Sequence, residues 1–183
     1  MKLWLVRHAQ TDAAPGLCYG ATDVCAPAEA TLAVAEAVVP RLPAGVALAH
    51  SPLRRCAELA QAIGMLRPDL ALRAEPRLAE MDFGAWEGQP WSAIAPAEFD
   101  AWTGNFAKGV PGGHGESTDR FMQRTGAAFD EWRESGQDAV WITHAGVMRA
   151  VQLLQRGVRR VDDVAQWPSE PIDYGACQLI EYG

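Results

Sequence analysis

The first eleven residues, Met1-Lys-Leu-Trp-Leu-Val-Arg-His-Ala-Gln-Thr11, decide how the rest of the chain is read. An apolar run from Leu3 to Val6 stops at Arg7-His8 and passes into small and polar residues ahead of Pro15-Gly16. A short apolar run closed by a turn signal reads as a buried strand. Arg7 and His8 then stand at its C-terminal end, the edge of an open α/β sheet where ligands bind. A permanently charged fork of donors beside an imidazole suits a phosphoryl group, since arginine matches the oxyanion and histidine can attack phosphorus or carry a proton. Alone, the dipeptide is also compatible with two solvated residues at a strand end.

Working outward, a turn-rich loop from Gln10 to Pro27 follows, where binding loops belong. Leu32, Ala35, Val38 and Leu42 recur at helical spacing and predict a helix over 28–42, closed by Pro43-Ala-Gly45. Val46 to Ala49 reads as a second strand, followed by a helix with Pro52 in its first turn and Leu53, Cys56, Ala60, Ile63 and Leu66 on one face. Leu70 to Leu72 is a third strand. The order β-α-β-α-β predicts an α/β three-layer sandwich, its mostly parallel central sheet flanked by helices. The rhythm then breaks, and residues 81–115, rich in tryptophan at first and in glycine later, read as a small cap inserted into a single domain. Ser117 is placed to N-cap a helix that Gly136 stops near Ser135. Ala139 to Thr143 is a further strand, ending at His144-Ala-Gly146 ahead of a helix through Val147, Val151 and Leu154. The tail from Arg159 is irregular until an edge strand over 177–182.

The 183 residues are enough to bury a substantial core, and 49% hydrophobic with 21% charged residues is an ordinary globular composition. A net charge of -7 argues against nucleic acid or an anionic membrane as partner, so a site for an anion must concentrate its few arginines locally. Cys18, Cys25, Cys56 and Cys177 have neither disulfide-framework nor zinc spacing and read as reduced thiols of a cytoplasmic protein. No apolar run approaches a membrane span or a signal segment.

Two strand ends are alike: Val6-Arg7-His8-Ala9 and Thr143-His144-Ala145-Gly146 each put a histidine where the chain must turn sharply. Arg7-His8-Ala-Gln-Thr11 resembles the RHG signature of the histidine phosphatase superfamily, the phosphoglycerate-mutase-like fold. Further elements follow in the family's order. Ser51-Pro-Leu-Arg-Arg55 is similar to its S-x-L-x-R element, and Leu78-Ala-Glu-Met-Asp-Phe-Gly-Ala-Trp-Glu-Gly88 to its L-x-E…G-x-W-E-G element. Gly115-Glu-Ser117 and His144-Ala-Gly146 complete the set. The resemblance implies a phosphomonoesterase that uses no metal and no cofactor. His8 would form a phosphohistidine, Arg7, Arg55 and His144 would surround the phosphoryl oxygens, and Glu80 would act as acid and then base. Thr11 and Ala145 would add a hydroxyl and a backbone N–H to the phosphate. Asp82, Glu87 and Glu116 compete with Glu80 for the proton-transfer role.

The length and compact cap resemble the phosphatase rather than the mutase branch. The Gly16–Asp23 and Met81–Gly88 runs look most like α-ribazole-5'-phosphate phosphatases of cobalamin biosynthesis; a broader sugar or small-molecule phosphatase, or a mutase-like isomerase, is the alternative. Tyr19, Gly20, Trp102 and His114 are candidate substrate contacts. Trp86, Trp91 and Trp102 have two readings: packing of the cap, or stacking on a flat base such as benzimidazole. The expected partner is a small phosphorylated substrate, with homodimerisation left open. Two other classes remain: a phospho-ligand-binding regulator without catalysis, and a metallohydrolase, which the absence of HxH or HExxH spacing disfavours. Ala9 departs from the family glycine. If the position requires φ > 0, alanine costs about 1 kcal/mol there; if not, the exchange is harmless.

Overall fold

The computed structural model describes residues 1–182. Five strands, β1 (Lys2–Arg7), β2 (Ala47–His50), β3 (Ala71–Ala74), β4 (Ala139–Thr143) and β5 (Cys177–Glu181), form one sheet in the order β3-β2-β4-β1-β5. All pairings are parallel except that of β5 with β1. Strand alternation sorts the apolar side chains into two layers. Leu3, Leu5 and Trp141 face α4 (Thr118–Ser135) and α5 (Ala145–Gln155), where Phe121, Phe129, Met148 and Val151 close the core. Val6, Leu48, Val140 and Ile142 face α1 (Ala28–Val38) and α2 (Arg54–Leu66), meeting Ala35, Val38, Leu59 and Ile63. This is the three-layer α/β sandwich that the β-α-β-α-β rhythm predicts.

Register places the site. Arg7 pairs with Thr143 and His50 with Ile142, so β1, β2 and β4 end together and their next residues, His8, Ser51 and His144, share one sheet edge. Ser117 caps α4 by accepting from the Arg120 N–H, and Gly136 ends the helix at φ 66°, a left-handed conformation open to glycine. Residues 76–113 form short 3₁₀ turns around one helix, α3 (Pro96–Thr103), over the C-terminal edge of the sheet. A cluster of Phe83, Trp86, Trp91, Phe99, Trp102 and Phe106 holds this cap together.

Three local expectations change. The first helix stops at Val38 and tightens into a 3₁₀ turn over Val39–Arg41, because Pro40 cannot donate to an α-helical ladder. Its buried face uses Thr31 with Ala35 and Val38, leaving Leu32 45% exposed. Pro52 precedes α2 rather than occupying its first turn: Leu53 is the N-cap, and Asp23 accepts from the Arg54 N–H at 2.7 Å. That carboxylate offsets the unfavourable placement of Arg54 and Arg55 at a helix N-terminus. Among the described residues, no helix is long and apolar enough to cross a membrane.

Candidate active site

Above the shared sheet edge lies a cavity of about 620 Å³, with Arg7, His8, Thr11, Tyr19, Gly20, Arg55, Glu80 and Ala145 in its wall. His8 is buried, and its Nδ1 lies 2.7 Å from the Ala9 carbonyl. A carbonyl only accepts, so Nδ1 carries the proton and Nε2 keeps its lone pair. Burial, with the positive charges of Arg55 and Arg7, pushes the His8 pKa down to about 3. The ring is therefore neutral, in one tautomer, at any physiological pH. Ala9 accomplishes this without strain: no non-glycine residue among those described has a positive φ. The exchange of the family glycine is of the harmless kind.

Arg55 is fully buried. It donates from Nη1 to the Thr22 carbonyl at 2.8 Å, from Nη2 to the Gly20 carbonyl at 2.6 Å, and from Nε to His144 Nδ1 at 3.3 Å. Arg7 donates from Nη1 to the Ile172 carbonyl. Both guanidinium groups thus rest on backbone carbonyls, which orient them without cancelling their charge. Two tyrosines cover them: Arg7 lies 3.9 Å from the Tyr174 ring centre and Arg55 5.2 Å from that of Tyr19, and the two hydroxyls meet at 3.1 Å. The loop carrying Gly20 is fastened to the cap by Glu87, whose carboxylate accepts from the N–H groups of Ala21, Thr22 and Phe83. Only glycine fits at position 20, where a Cβ would lie 2.2 Å from the Met81 carbonyl.

The structure separates the four competing carboxylates. Glu87 is consumed by the loop, Asp82 accepts from the Gly84 N–H, and Glu116 pairs with Arg124 at 2.7 Å. Glu80 alone lines the cavity, held by the N–H groups of Met81 and Gly146 at 3.0 Å each.

His144 takes a different place from the one expected. Its Nδ1 accepts from Arg55, so Nε2 carries the proton and donates to Ser51 Oγ at 2.8 Å. With both nitrogens hydrogen-bonded, His144 stands behind the cavity wall and aims Arg55 rather than lining the cavity itself. Burial, aided by the Arg55 charge, holds its pKa well below the ordinary value. His114 also departs from expectation: it is exposed just after the 3₁₀ turn Pro111–Gly113 and lies outside the cavity wall. Of the cap tryptophans, Trp91 and Trp102 line the cavity, while Trp86 is buried in the cap with its indole N–H on Glu98. His50 turns its Nδ1 to the Ser51 carbonyl and stays outside. Among the described residues, no three His, Cys, Asp or Glu side chains converge as a metal ligand set.

Sequence reading missed the contribution of the tail. Ile172 orients Arg7, Tyr174 covers it, the Gly175 N–H bonds the His8 carbonyl at 3.1 Å, and Val164 and Trp167 extend the cavity wall. Arg149, one turn beyond Ala145 on α5, also lines the cavity, with Nη2 on the Glu170 carbonyl. Nothing in the local pattern of 159–174 marks these roles. The i+4 spacing of Arg149 from Ala145 is the one signal that points to the site.

Two histidines with depressed pKa values make stability pH-dependent. Between the folded value of about 3 and the unfolded value near 6.5, the unfolded chain holds the extra proton on His8, so stability falls as pH drops below about 6.5. His144 acts in the same direction. Urea unfolding at pH 7.5 and 5.0 is expected to show the loss, about 2 kcal/mol of it from His8 over that window. An H8A protein is expected to give a shallower profile; an unchanged one would show that His8 is solvated.

A sheet edge that gathers a neutral imidazole, two carbonyl-braced guanidinium groups and one carboxylate defines an α/β protein built to handle a phosphoryl group. The chain belongs to the histidine phosphatase superfamily (branch 1), whose pattern matches residues 3–182. Among solved structures, mycobacterial glucosyl-3-phosphoglycerate phosphatase in complex with VO3 superposes with a TM-score of 0.80 at 25% identity, over 98% of this chain and 90% of that one. The protein TTHB049 of Thermus thermophilus matches at 31% identity and a TM-score of 0.72, over 100% of this chain and 94% of that one. The α-ribazole phosphatase of Shigella flexneri shares the fold at 23% identity and a TM-score of 0.79, over 100% and 91% of the two chains. No curated protein is significantly similar in sequence.

Proposed function

We propose that this protein hydrolyses phosphomonoesters through a phosphohistidine at His8. The observation that carries this reading is the fixed tautomer of His8, with its free nitrogen in a cavity shared with Arg7, Arg55 and Glu80. The Nε2 lone pair forms the N–P bond as the ester P–O bond breaks, and Glu80 in its acid form protonates the departing oxygen. Water then attacks phosphorus, Glu80 takes its proton, and the N–P bond breaks to restore neutral His8. Arg7 and Arg55 stabilise the equatorial oxygens through both steps.

The far half of the cavity, with Phe83, Trp91, Trp102, Phe106, Phe121 and Trp167, suits a flat or apolar leaving group. That supports an aromatic phosphomonoester such as α-ribazole 5'-phosphate as substrate. Arg149 favours a second reading, an ester of a hydroxy acid, because a single guanidinium matches a carboxylate. A panel of α-ribazole 5'-phosphate, 3-phosphoglycerate, glucose 6-phosphate and p-nitrophenyl phosphate, assayed with EDTA, decides between them. The aromatic reading expects kcat/KM for α-ribazole 5'-phosphate to exceed that for 3-phosphoglycerate by about a hundredfold, roughly 2.7 kcal/mol of transition-state preference. The reverse order would favour the acid ester.

A further inference from the structure

The phosphoryl end of the cavity is covered in the empty protein. Arg55 is 0% exposed and His8 2%, although both stand in the cavity wall. A phosphoryl group reaches them only if something moves aside. The backbone on either flank is anchored against such a movement. The Cys18 N–H bonds the Gln89 carbonyl at 2.9 Å, the Cys18 carbonyl accepts from the Gly88 N–H at 2.8 Å, and Gly20 is packed against the Met81 carbonyl. On the tail, the Gly175 N–H holds the His8 carbonyl, and the Ile172 carbonyl is held by Arg7.

Side chains are what is left to move, and two tyrosines occupy the place. Tyr19 on the loop and Tyr174 on the tail both line the cavity, with their rings over Arg55 and Arg7. Tyr174 presses on Arg7 at 3.9 Å and lies 5.6 Å from the His8 ring, whereas Tyr19 stands 5.2 Å off Arg55. Their hydroxyls meet at 3.1 Å in an exposed hydrogen bond. Among the described residues it is the only hydrogen bond that joins the loop 10–27 to the tail segment 156–176. A neutral bond open to water is weak enough to break without disturbing the fold.

Arg55 also has donors in reserve. Of the five N–H groups of a guanidinium, three are on the Gly20 carbonyl, the Thr22 carbonyl and His144 Nδ1, which leaves two for a ligand. We infer that Tyr19 and Tyr174 form a side-chain gate over the phosphoryl pocket, latched by their hydroxyls, and that Tyr19 is the leaf that swings. Tyr174 stays on Arg7, whose direction it sets, while Tyr19 turns off Arg55 and uncovers it. The inference rests on the reading of this cavity as a phosphoryl site. Only the open form binds, so the latch weakens apparent affinity by the fraction of molecules that it holds closed. Removing the latch therefore tightens binding, the reverse of losing a ligand contact.

Calorimetry with inorganic phosphate on wild type, Y19F, Y174F and the double variant tests the gate, with KM for p-nitrophenyl phosphate measured in parallel. Each variant keeps its rings and loses the bridge. Each single variant is expected to bind phosphate about threefold to fivefold more tightly, with a matching fall in KM. The double variant is expected to gain no more than either single one, because the two hydroxyls make one bond. Weaker binding in Y19F or Y174F would make that hydroxyl a ligand contact, and unchanged binding would mean that no latch exists. Either result overturns the gate, as do additive gains in the double variant. A wild type that binds phosphate but hydrolyses no ester would count against the phosphatase reading, with the calorimetry still judging the gate. Absence of phosphate binding in all four proteins would overturn both.

Discussion

An H8A protein is expected to lose at least a thousandfold in kcat/KM toward p-nitrophenyl phosphate, about 4 kcal/mol of transition-state stabilisation. The size of the effect follows from what the ring supplies. Its Nδ1 is locked on the Ala9 carbonyl, so Nε2 is the atom left to attack in the proposed reaction, and among the described residues no second side chain in the cavity wall offers an unprotonated imidazole nitrogen. His144 cannot substitute, because both its nitrogens are bonded to Arg55 and Ser51. The depressed His8 pKa adds a second expectation: the acid limb of kcat/KM above pH 4 belongs to another group, since His8 is already neutral there. Rapid quench of the wild type with a labelled substrate checks the intermediate directly, because phosphohistidine survives alkali and is lost in acid. H8A turnover above about a hundredth of wild type, or an acid-stable label, would remove His8 from the role of nucleophile.

The second large effect concerns Arg55. Exchange for methionine is expected to lower kcat/KM by on the order of a thousandfold, the scale at which a preorganised oxyanion donor contributes. Its effect on stability is expected to be small, because two contributions oppose each other. Three hydrogen bonds, to Gly20, Thr22 and His144, are lost at about 1 kcal/mol each. Against that, a fully buried charge held by carbonyls and an imidazole rather than a carboxylate is removed, and burying such a charge costs several kcal/mol. Urea unfolding is therefore expected to place R55M within about 2 kcal/mol of wild type, while calorimetry finds its affinity for inorganic phosphate lost. A protein that unfolds outright would show that Arg55 serves the fold first and the phosphate second.

The two arginines differ in how their orientation is secured. Arg7 leaves β1 at the sheet edge and depends on the distant tail, through the Ile172 carbonyl and the Tyr174 ring, for its final direction. Arg55 is aimed by His144, which in turn is fixed by Ser51, so one strand end of the sheet positions the cation supplied by another. Of the three groups expected around the phosphoryl oxygens, Arg7 and Arg55 line the cavity and His144 stands behind Arg55. This suits the site's electrostatics, because a charged His144 beside Arg55 would be doubly penalised.

Sequence alone determined the layer order, the strand ends that carry Arg7, His8 and His144, and the caps of α4, because each rests on local chemistry. Apolar periodicity, turn residues and the residue types at a strand end are properties of ten or so neighbouring positions. Family motifs carried His8, Arg55 and Glu80 for the same reason. What no local pattern holds is the partner of each group. Glu80, Asp82, Glu87 and Glu116 are four similar carboxylates within 37 residues, and only the packing of cap against loop assigns one to the cavity and three to backbone or arginine partners. Tyr174 and Ile172 enter the site because β5 returns antiparallel to β1 and swings the tail over His8, a contact across more than 160 residues. Burial and partnering are set by such long-range contacts. The tertiary structure therefore decided which of the residues legible in sequence face the cavity and which hold the others in place.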